Sequence, residues 1–323
     1  MCGLGGTIAM TATTGGGVAP ALSAADLVAA VPGPAALGLE IEFLDVANVP
    51  SSSLRLTDVV ALSGRIGALL AAGADGVVVT QGTDTLEECA YLLDLLHDRP
   101  EPVVVTGAMR NPLQAGADGP ANLLAALTVA ADPGARGRGV LVAFTDEIHA
   151  AARVRKTHST SVAAFVSANG GPLGRLVEGT PRFLNESTHR LVLPRPAGAG
   201  LPRVPLIFAT LGADEPELNR PADGLVVAAF GVGHLPEWWV APLAELARRM
   251  PVVLASRTLA GPVLADTYSY PGSERDVIGR GLIPAGFLDP AKARILLLTV
   301  LAGGGDHERV VAAFGTAGGL GTA

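Results

Sequence analysis

A chain of 323 residues with 49% hydrophobic side chains has material for packed cores and a length that favours two domains. Its net charge of −7, with basic residues scattered along the chain, offers no basic face and argues against nucleic acid as a partner. No apolar run reaches the ~18 residues of a membrane span. Cys2 and Cys89 are too few for a disulfide scaffold or a zinc site, and the first residues lack the pattern of a signal peptide, so a reducing cytoplasm is the expected compartment.

In chain order, short Val/Ile/Leu/Ala runs alternate with helical patterns. Strands are expected at Ile41–Val46, Gly76–Thr80, Pro102–Thr106 and Val140–Phe144, with helices at Leu56–Ala72, Thr85–Leu96 and Gly119–Ala131. Near-continuously apolar strands separated by helices predict a parallel sheet covered on both faces. Asp118 before Gly119-Pro120 reads as a helix cap with proline in the first turn. A Pro/Gly-rich stretch then breaks the pattern. Further strands are expected at Leu206–Leu211, Gly224–Gly231 and Val252–Ser256, followed by a helix at Pro290–Leu301. The chain therefore divides into a larger N-terminal α/β domain (residues 1–192), a linker (193–204) and a smaller C-terminal α/β domain (205–323).

Several chemistries are excluded by residue type. There is no G-x-S-x-G elbow, neither lysine completes a P-loop, no H-E-x-x-H occurs, and the glycines at 3, 5 and 6 have the wrong spacing for a dinucleotide fold. The informative segment is Val77–Glu88, where an apolar strand enters a glycine turn, a Thr-Asp pair and an acidic first helical turn. Ligands of open α/β sheets bind at such strand C-termini, and free N–H groups at a helix start favour developing negative charge. Lysine usage is the second signal. Only Lys156 and Lys292 are lysines among 23 basic residues. Arginine stays protonated at any accessible pH, whereas a partly buried lysine can move protons. Lys156 follows the fourth strand in a polar stretch, and Lys292 reads as a solvated helical lysine. Asp84 and Thr85, each three residues before a glutamate, also read as helix caps.

Together, Gly5-Gly6-Thr7-Ile8-Ala9-Met10, Thr80–Glu88, Thr106-Gly107-Ala108-Met109-Arg110, Asp118–Leu123, Arg155-Lys156-Thr157, Gly231-Val232-Gly233 and Leu288–Arg294 resemble the bacterial-type L-asparaginase and glutaminase-asparaginase family, over essentially the whole chain. The resemblance implies a two-domain α/β fold without a cofactor and hydrolysis of the asparagine side-chain amide to aspartate and ammonia, with glutamine as a weaker substrate. Matched position by position, it makes Thr7 the nucleophile and Thr83, Asp84 and Lys156 the second catalytic group, with backbone N–H groups after Gly82 at the oxyanion. Ser51 and Ser52 would hold the α-carboxylate, Asp84 would face the α-ammonium, and the Ala108 backbone would touch the amide region. Glu274 would come from a neighbouring subunit, which implies a dimer or tetramer.

Three positions depart from the family pattern. The segment Thr11–Pro20 corresponds to a mobile lid but lacks its usual tyrosine, leaving activation of Thr7 open among Thr11, Thr13, Thr14 and water. His234-Leu235-Pro236 stands where relatives carry asparagines. Only Met1–Leu4 precede Gly5, fewer than the ~5–6 residues of a usual strand, so a short first strand is expected. These departures keep two alternatives in view: a catalytically silent, amino-acid-binding relative and an amidotransferase-type asparaginase subunit.

Overall fold

Valine repeats build the centre of the first sheet. In the computed structural model, which describes residues 1–31, 38–187, 190–196, 200–218 and 220–319, contacts divide the chain into units Met1–Thr188 and His189–Ala323. The strands of the first unit are β1 (Cys2–Gly3), β2 (Met10–Ala12), β3 (Val18–Pro20), β4 (Leu44–Asp45), β5 (Val77–Thr80), β6 (Val103–Thr106), β7 (Val140–Phe144), β8 (Glu147–Ala150), β9 (Arg155–Lys156), β10 (Phe165–Val166), β11 (Gly174–Val177) and β12 (Thr180–Phe183). Its main sheet has the order β12-β11-β8-β7-β6-β5-β1-β4; β4, β1, β5, β6 and β7 run parallel, and β8, β11 and β12 extend the edge antiparallel.

Helices α1 (Ala24–Ala29), α2 (Leu56–Ala71), α3 (Leu86–Leu96) and α4 (Gly119–Ala131) cover this sheet. Val78, Val104, Leu141 and Ala143 enter one core with Leu123, Ala126 and Leu127 of α4. Successive strand residues point to opposite faces, so Val77, Val79, Val103 and Val105, buried as well, face the other layer, where α3 packs on β6 and β7 and α2 packs on α3. Burial on both faces is why these strands read as unbroken apolar runs.

The strand expected at Ile41–Val46 contracts to Leu44–Asp45, because the two-residue β1 offers it only the pairs Cys2–Leu44 and Gly3–Asp45. Residues 10–20 form an antiparallel hairpin, β2 with β3, whose tip turns through Gly16 and Gly17 at φ 84° and 80°.

The second unit holds the parallel sheet β13 (Leu206–Phe208), β14 (Leu225–Ala229), β15 (Val252–Ser256) and β16 (Ile283–Pro284), in that order. Helix α5 (Glu237–Ala247) packs on β15. After the short α6 (Glu274–Gly279), α7 (Pro290–Ala302) crosses β13, β14 and β15, and α8 (His307–Ala317) packs on α7 and β16. The first of these strands stops at Phe208, and Leu211, expected within it, is 99% exposed.

Lys292 is not a solvated lysine. It is fully buried on α7 and pairs with the helix-capping Asp289 at 3.3 Å, because α7 is packed between the sheet strands β13, β14 and β15 and helix α8. Residues 190–196 and 200–205 carry no helix or strand; residues 197–199 of the expected linker lie outside the described residues. Among the described residues, no helix is long and apolar enough to cross a membrane, and no group of three or more His, Cys, Asp or Glu side chains is placed to hold a metal ion.

Candidate active site

Four loops leave the C-terminal ends of β1, β4, β5 and β6, and glycines let them touch. Gly6 has φ 85° and ψ −171°, a backbone region essentially reserved for glycine. A Cβ there would lie 2.2 Å from both Cα and N of Gly82, and one on Gly82 would lie 2.7 Å from Ser51 Oγ. Gly5 (φ +88°) abuts Asn48 and Val49 in the same way. Thr7, Gly82, Thr83 and Ser51 are thus drawn to one point on the sheet edge. Gly107 faces the Gln81 carbonyl and the Thr83 methyl, and Gly119 faces Ile8 and Ala108, which adds the buried Ala108 to the cluster.

Thr83 is buried, Asp84 is exposed, and Lys156 joins them. Its Nζ donates to Thr83 Oγ1 at 2.9 Å and to Asp84 Oδ1 at 2.7 Å, with the lysine side chain 16% exposed and that of Asp84 69% exposed. Lys156 sits on β9, paired with Phe165 of β10, and the Phe165 ring packs on Phe144 at the end of β7, 4.6 Å between centroids. The Lys156 backbone N–H donates to Glu87 Oε2 in the first turn of α3. An aromatic anchor and a helical carboxylate therefore aim the Lys156 Nζ at the Thr-Asp pair.

Helix α3 begins at Leu86. Thr85 occupies its cap position without a side-chain capping bond, and neither it nor Asp84 caps the helix. The Thr85 hydroxyl instead donates to the Ser51 carbonyl at 3.0 Å and accepts from Gln81 Nε2 at 3.2 Å, tying the serine loop to the Thr-Asp loop. Ser51 is buried and Ser52 exposed.

Asp118 also gives up its expected capping bond. Its carboxylate accepts from the Met109 and Arg110 amides at 3.0 and 2.8 Å and from Asn122 Nδ2 at 3.1 Å, while Asn122 Nδ2 also donates to the Gly107 carbonyl. This fixes the loop that carries Ala108. Behind the site, burial is the main cause that pushes the Cys89 thiol up to about 12; Gln81 lowers it and Glu88 raises it further. Cys89 stays a neutral thiol, and both cysteines are free and buried.

Glu274 lies in the second unit. Its side chain is fully buried, Oε1 accepts from the Thr267 and Tyr268 amides at 3.0 and 2.7 Å, and Oε2 is 3.2 Å from His234 Nε2. That last contact has an ion-pair distance without hydrogen-bond geometry. The His234 ring meets Tyr268 and Tyr270 edge-on, 4.8 and 5.3 Å between centroids.

Sequence reasoning missed Glu87, Phe165, Thr85 and Asn122 as supports of the site. Asn122 stood within the quoted Asp118–Leu123 motif, and Glu87 within the acidic first turn, but only the fold gives each its partner.

A two-unit α/β chain with Thr-Asp-Lys at a parallel sheet edge, beside a second threonine on a glycine turn, has the architecture of the asparaginases. The comparisons agree: a profile of the asparaginase N-terminal domain matches residues 1–189, and one of the glutaminase/asparaginase C-terminal domain matches residues 203–314. The chain belongs to this family. A probable L-asparaginase of Deinococcus radiodurans is 42% identical over 250 residues, covering 75% of each chain. L-asparaginase 2 of Escherichia coli is 36% identical over 245 residues, 73% of this chain and 69% of that protein. Among solved structures, a probable cytoplasmic L-asparaginase from Campylobacter jejuni superposes with a TM-score of 0.83 at 33% identity, covering 97% of both chains.

Proposed function

We propose that the protein hydrolyses L-asparagine to L-aspartate and ammonia through a covalent intermediate on Thr7, with glutamine as a weaker substrate. The observation that carries this reading is the Lys156 Nζ held between Thr83 Oγ1 and Asp84 Oδ1 at a parallel sheet edge. An amide is a poor electrophile, and a hydroxyl nucleophile divides its hydrolysis into acylation and deacylation. Thr7 Oγ1 attacks the side-chain amide carbon. The carbonyl oxygen becomes an oxyanion met by backbone N–H groups after Gly82, each such donor contributing ~3–4 kcal/mol. The proton that the Thr7 hydroxyl gives up is delivered to the amide nitrogen, the C–N bond breaks and ammonia leaves. Water then attacks the acyl carbon while the Thr83–Lys156 pair accepts its proton, and aspartate departs with Thr7 restored.

Asp84 orients Lys156 and faces the substrate α-ammonium. Ser51 and Ser52 hold the α-carboxylate, and the Ala108 backbone borders the amide. One methylene separates glutamine from asparagine, worth ~1–3 kcal/mol of discrimination. Residues 1–192 form the catalytic domain, 193–204 the linker and 205–323 the smaller domain. Glu274 serves the site of a second copy in a dimer or tetramer, and the protein acts in the cytoplasm.

The test is a pair of variants, Lys156→Met and Thr83→Val, assayed for ammonia release singly and together. Acting as one proton-transfer unit, each lowers kcat roughly 10²–10⁴-fold and the double variant falls little further. Wild-type kcat in either single variant contradicts the assignment.

A further inference from the structure

Thr7 lacks an evident activator. Lys156 Nζ is committed to Thr83 and Asp84, and among the described residues no side chain bonds the Thr7 hydroxyl. Residues 10–20 hold no tyrosine. The chain has three, and Tyr91 is buried in α3. Tyr268 and Tyr270 are the others, 42% and 47% exposed, on the segment that ends at Glu274.

This segment is tightly held. The Tyr268 amide donates to Glu274 Oε1, Ser273 Oγ donates to the Tyr268 carbonyl at 3.0 Å, and the Ser273 amide donates to the Tyr270 carbonyl at 2.9 Å. Tyrosine combines an apolar ring with a polar hydroxyl and is enriched where a partner covers the ring and the hydroxyl finds a hydrogen bond. These two stand edge-on to His234, 6.2 Å from one another, beside the carboxylate read above as serving a second copy.

We infer that Tyr270 of one copy supplies its phenol to Thr7 of another, replacing the hydroxyl that the hairpin lacks. This rests on the asparaginase reading and names a further group for the same reaction. In acylation the Thr7 Oγ1–C bond forms as the Thr7 proton passes to the phenol oxygen. The phenol proton passes to the amide nitrogen, the C–N bond breaks and ammonia leaves, so the tyrosine ends as it began. The relay needs a protonated phenol, and partial burial, followed by Glu274 and Tyr268, raises the Tyr270 hydroxyl above its ordinary value.

The experiment uses full-length Tyr270→Phe, Tyr268→Phe and Thr7→Ala proteins, with ammonia release from asparagine and circular dichroism for folding. Tyr270→Phe is expected to lose at least 100-fold in kcat with its fold kept, and Tyr268→Phe to stay within 3-fold of wild type. Differently tagged Thr7→Ala and Tyr270→Phe chains are then unfolded, mixed, refolded and purified through both tags. Each parent is inactive, but a mixed assembly pairs the intact Thr7 of one chain with the intact Tyr270 of the other. For a two-fold interface, an equal mixture before purification recovers about a quarter of the wild-type rate.

Wild-type kcat in Tyr270→Phe overturns the inference and leaves the asparaginase reading standing. So does a dead Tyr270→Phe whose purified mixed assemblies recover nothing, because the phenol then acts within its own chain. Absence of turnover in the wild-type protein instead overturns the asparaginase reading itself.

Discussion

Gly6→Ala is the substitution most directly dictated by the structure. Its Cβ would lie 2.2 Å from the Gly82 backbone, about 1.2 Å short of the 3.4 Å at which ordinary contact begins. Backbone meets backbone there, so no side chain can swing aside. Two penalties follow. An alanine at φ 85°, ψ −171° stores ~1–3 kcal/mol of strain, and the forced separation adds ~1–3 kcal/mol of overpacking. Together they predict a loss of about 2–6 kcal/mol in unfolding free energy. Function should suffer beyond stability, because the loops that separate carry Thr7 and Gly82; a displacement near 1 Å costs roughly 10²-fold in rate.

The control is Gly137→Ala. Gly137 also has positive φ (+76°), but its Cβ would meet nothing within 4 Å. That variant should lose only ~1–2 kcal/mol, the strain of a left-handed residue, with kcat unchanged. Denaturant unfolding and ammonia release on both variants separate strain from displacement. Wild-type kcat and stability in Gly6→Ala would refute the reasoning that close glycine approach assembles the site.

Further predictions concern buried charge and the buried thiol. Because the Cys89 thiol is raised to about 12 in the fold, it contributes stability that is fully present below the unfolded value near 9 and is lost as pH rises toward 12. Wild type should therefore lose stability relative to Cys89→Ala by up to ~1.4 kcal/mol per pH unit above pH 9; a pH-independent difference in denaturant unfolding contradicts this. Lys292→Ala leaves Asp289 buried beside an empty site and should cost ~3–5 kcal/mol of stability. Unfolding at the wild-type denaturant midpoint would show that the pair is not needed.

The interior strands and long helices of the first unit were legible because burial on both faces imposes an apolar code that local pattern reveals. Val140–Phe144 and Gly119–Ala131 occur with the expected bounds. The short edge strands were not legible. The antiparallel edge β8-β11-β12 and the β9–β10 ladder are built of strands of 2 to 4 residues with mixed, half-exposed side chains, too short to show a pattern, and β11 finds β8 across an intervening stretch of chain. The motif containing Thr83 and Asp84 could be read as a strand-to-helix junction; its tie to Lys156, 72 residues beyond Asp84, followed only from the family resemblance, and the Phe165 and Glu87 contacts that aim the lysine were not legible. Capping chemistry misled where polar side chains found tertiary partners: Asp118 turns to the Met109 and Arg110 amides, and Thr85 to the Ser51 carbonyl. Lys292 misled for the opposite reason, since its Pro-Ala-Lys-Ala context gives no hint that the surrounding helix is enclosed.

Ammonia release from L-asparagine by the purified protein at neutral pH, beside its Thr7→Ala variant, tests the central claim most directly. Steady turnover by the wild type, a lower rate on L-glutamine and no turnover by a folded variant is the predicted result. A folded wild-type protein that binds asparagine but releases no ammonia, or a Thr7→Ala variant that keeps the wild-type rate, would contradict it.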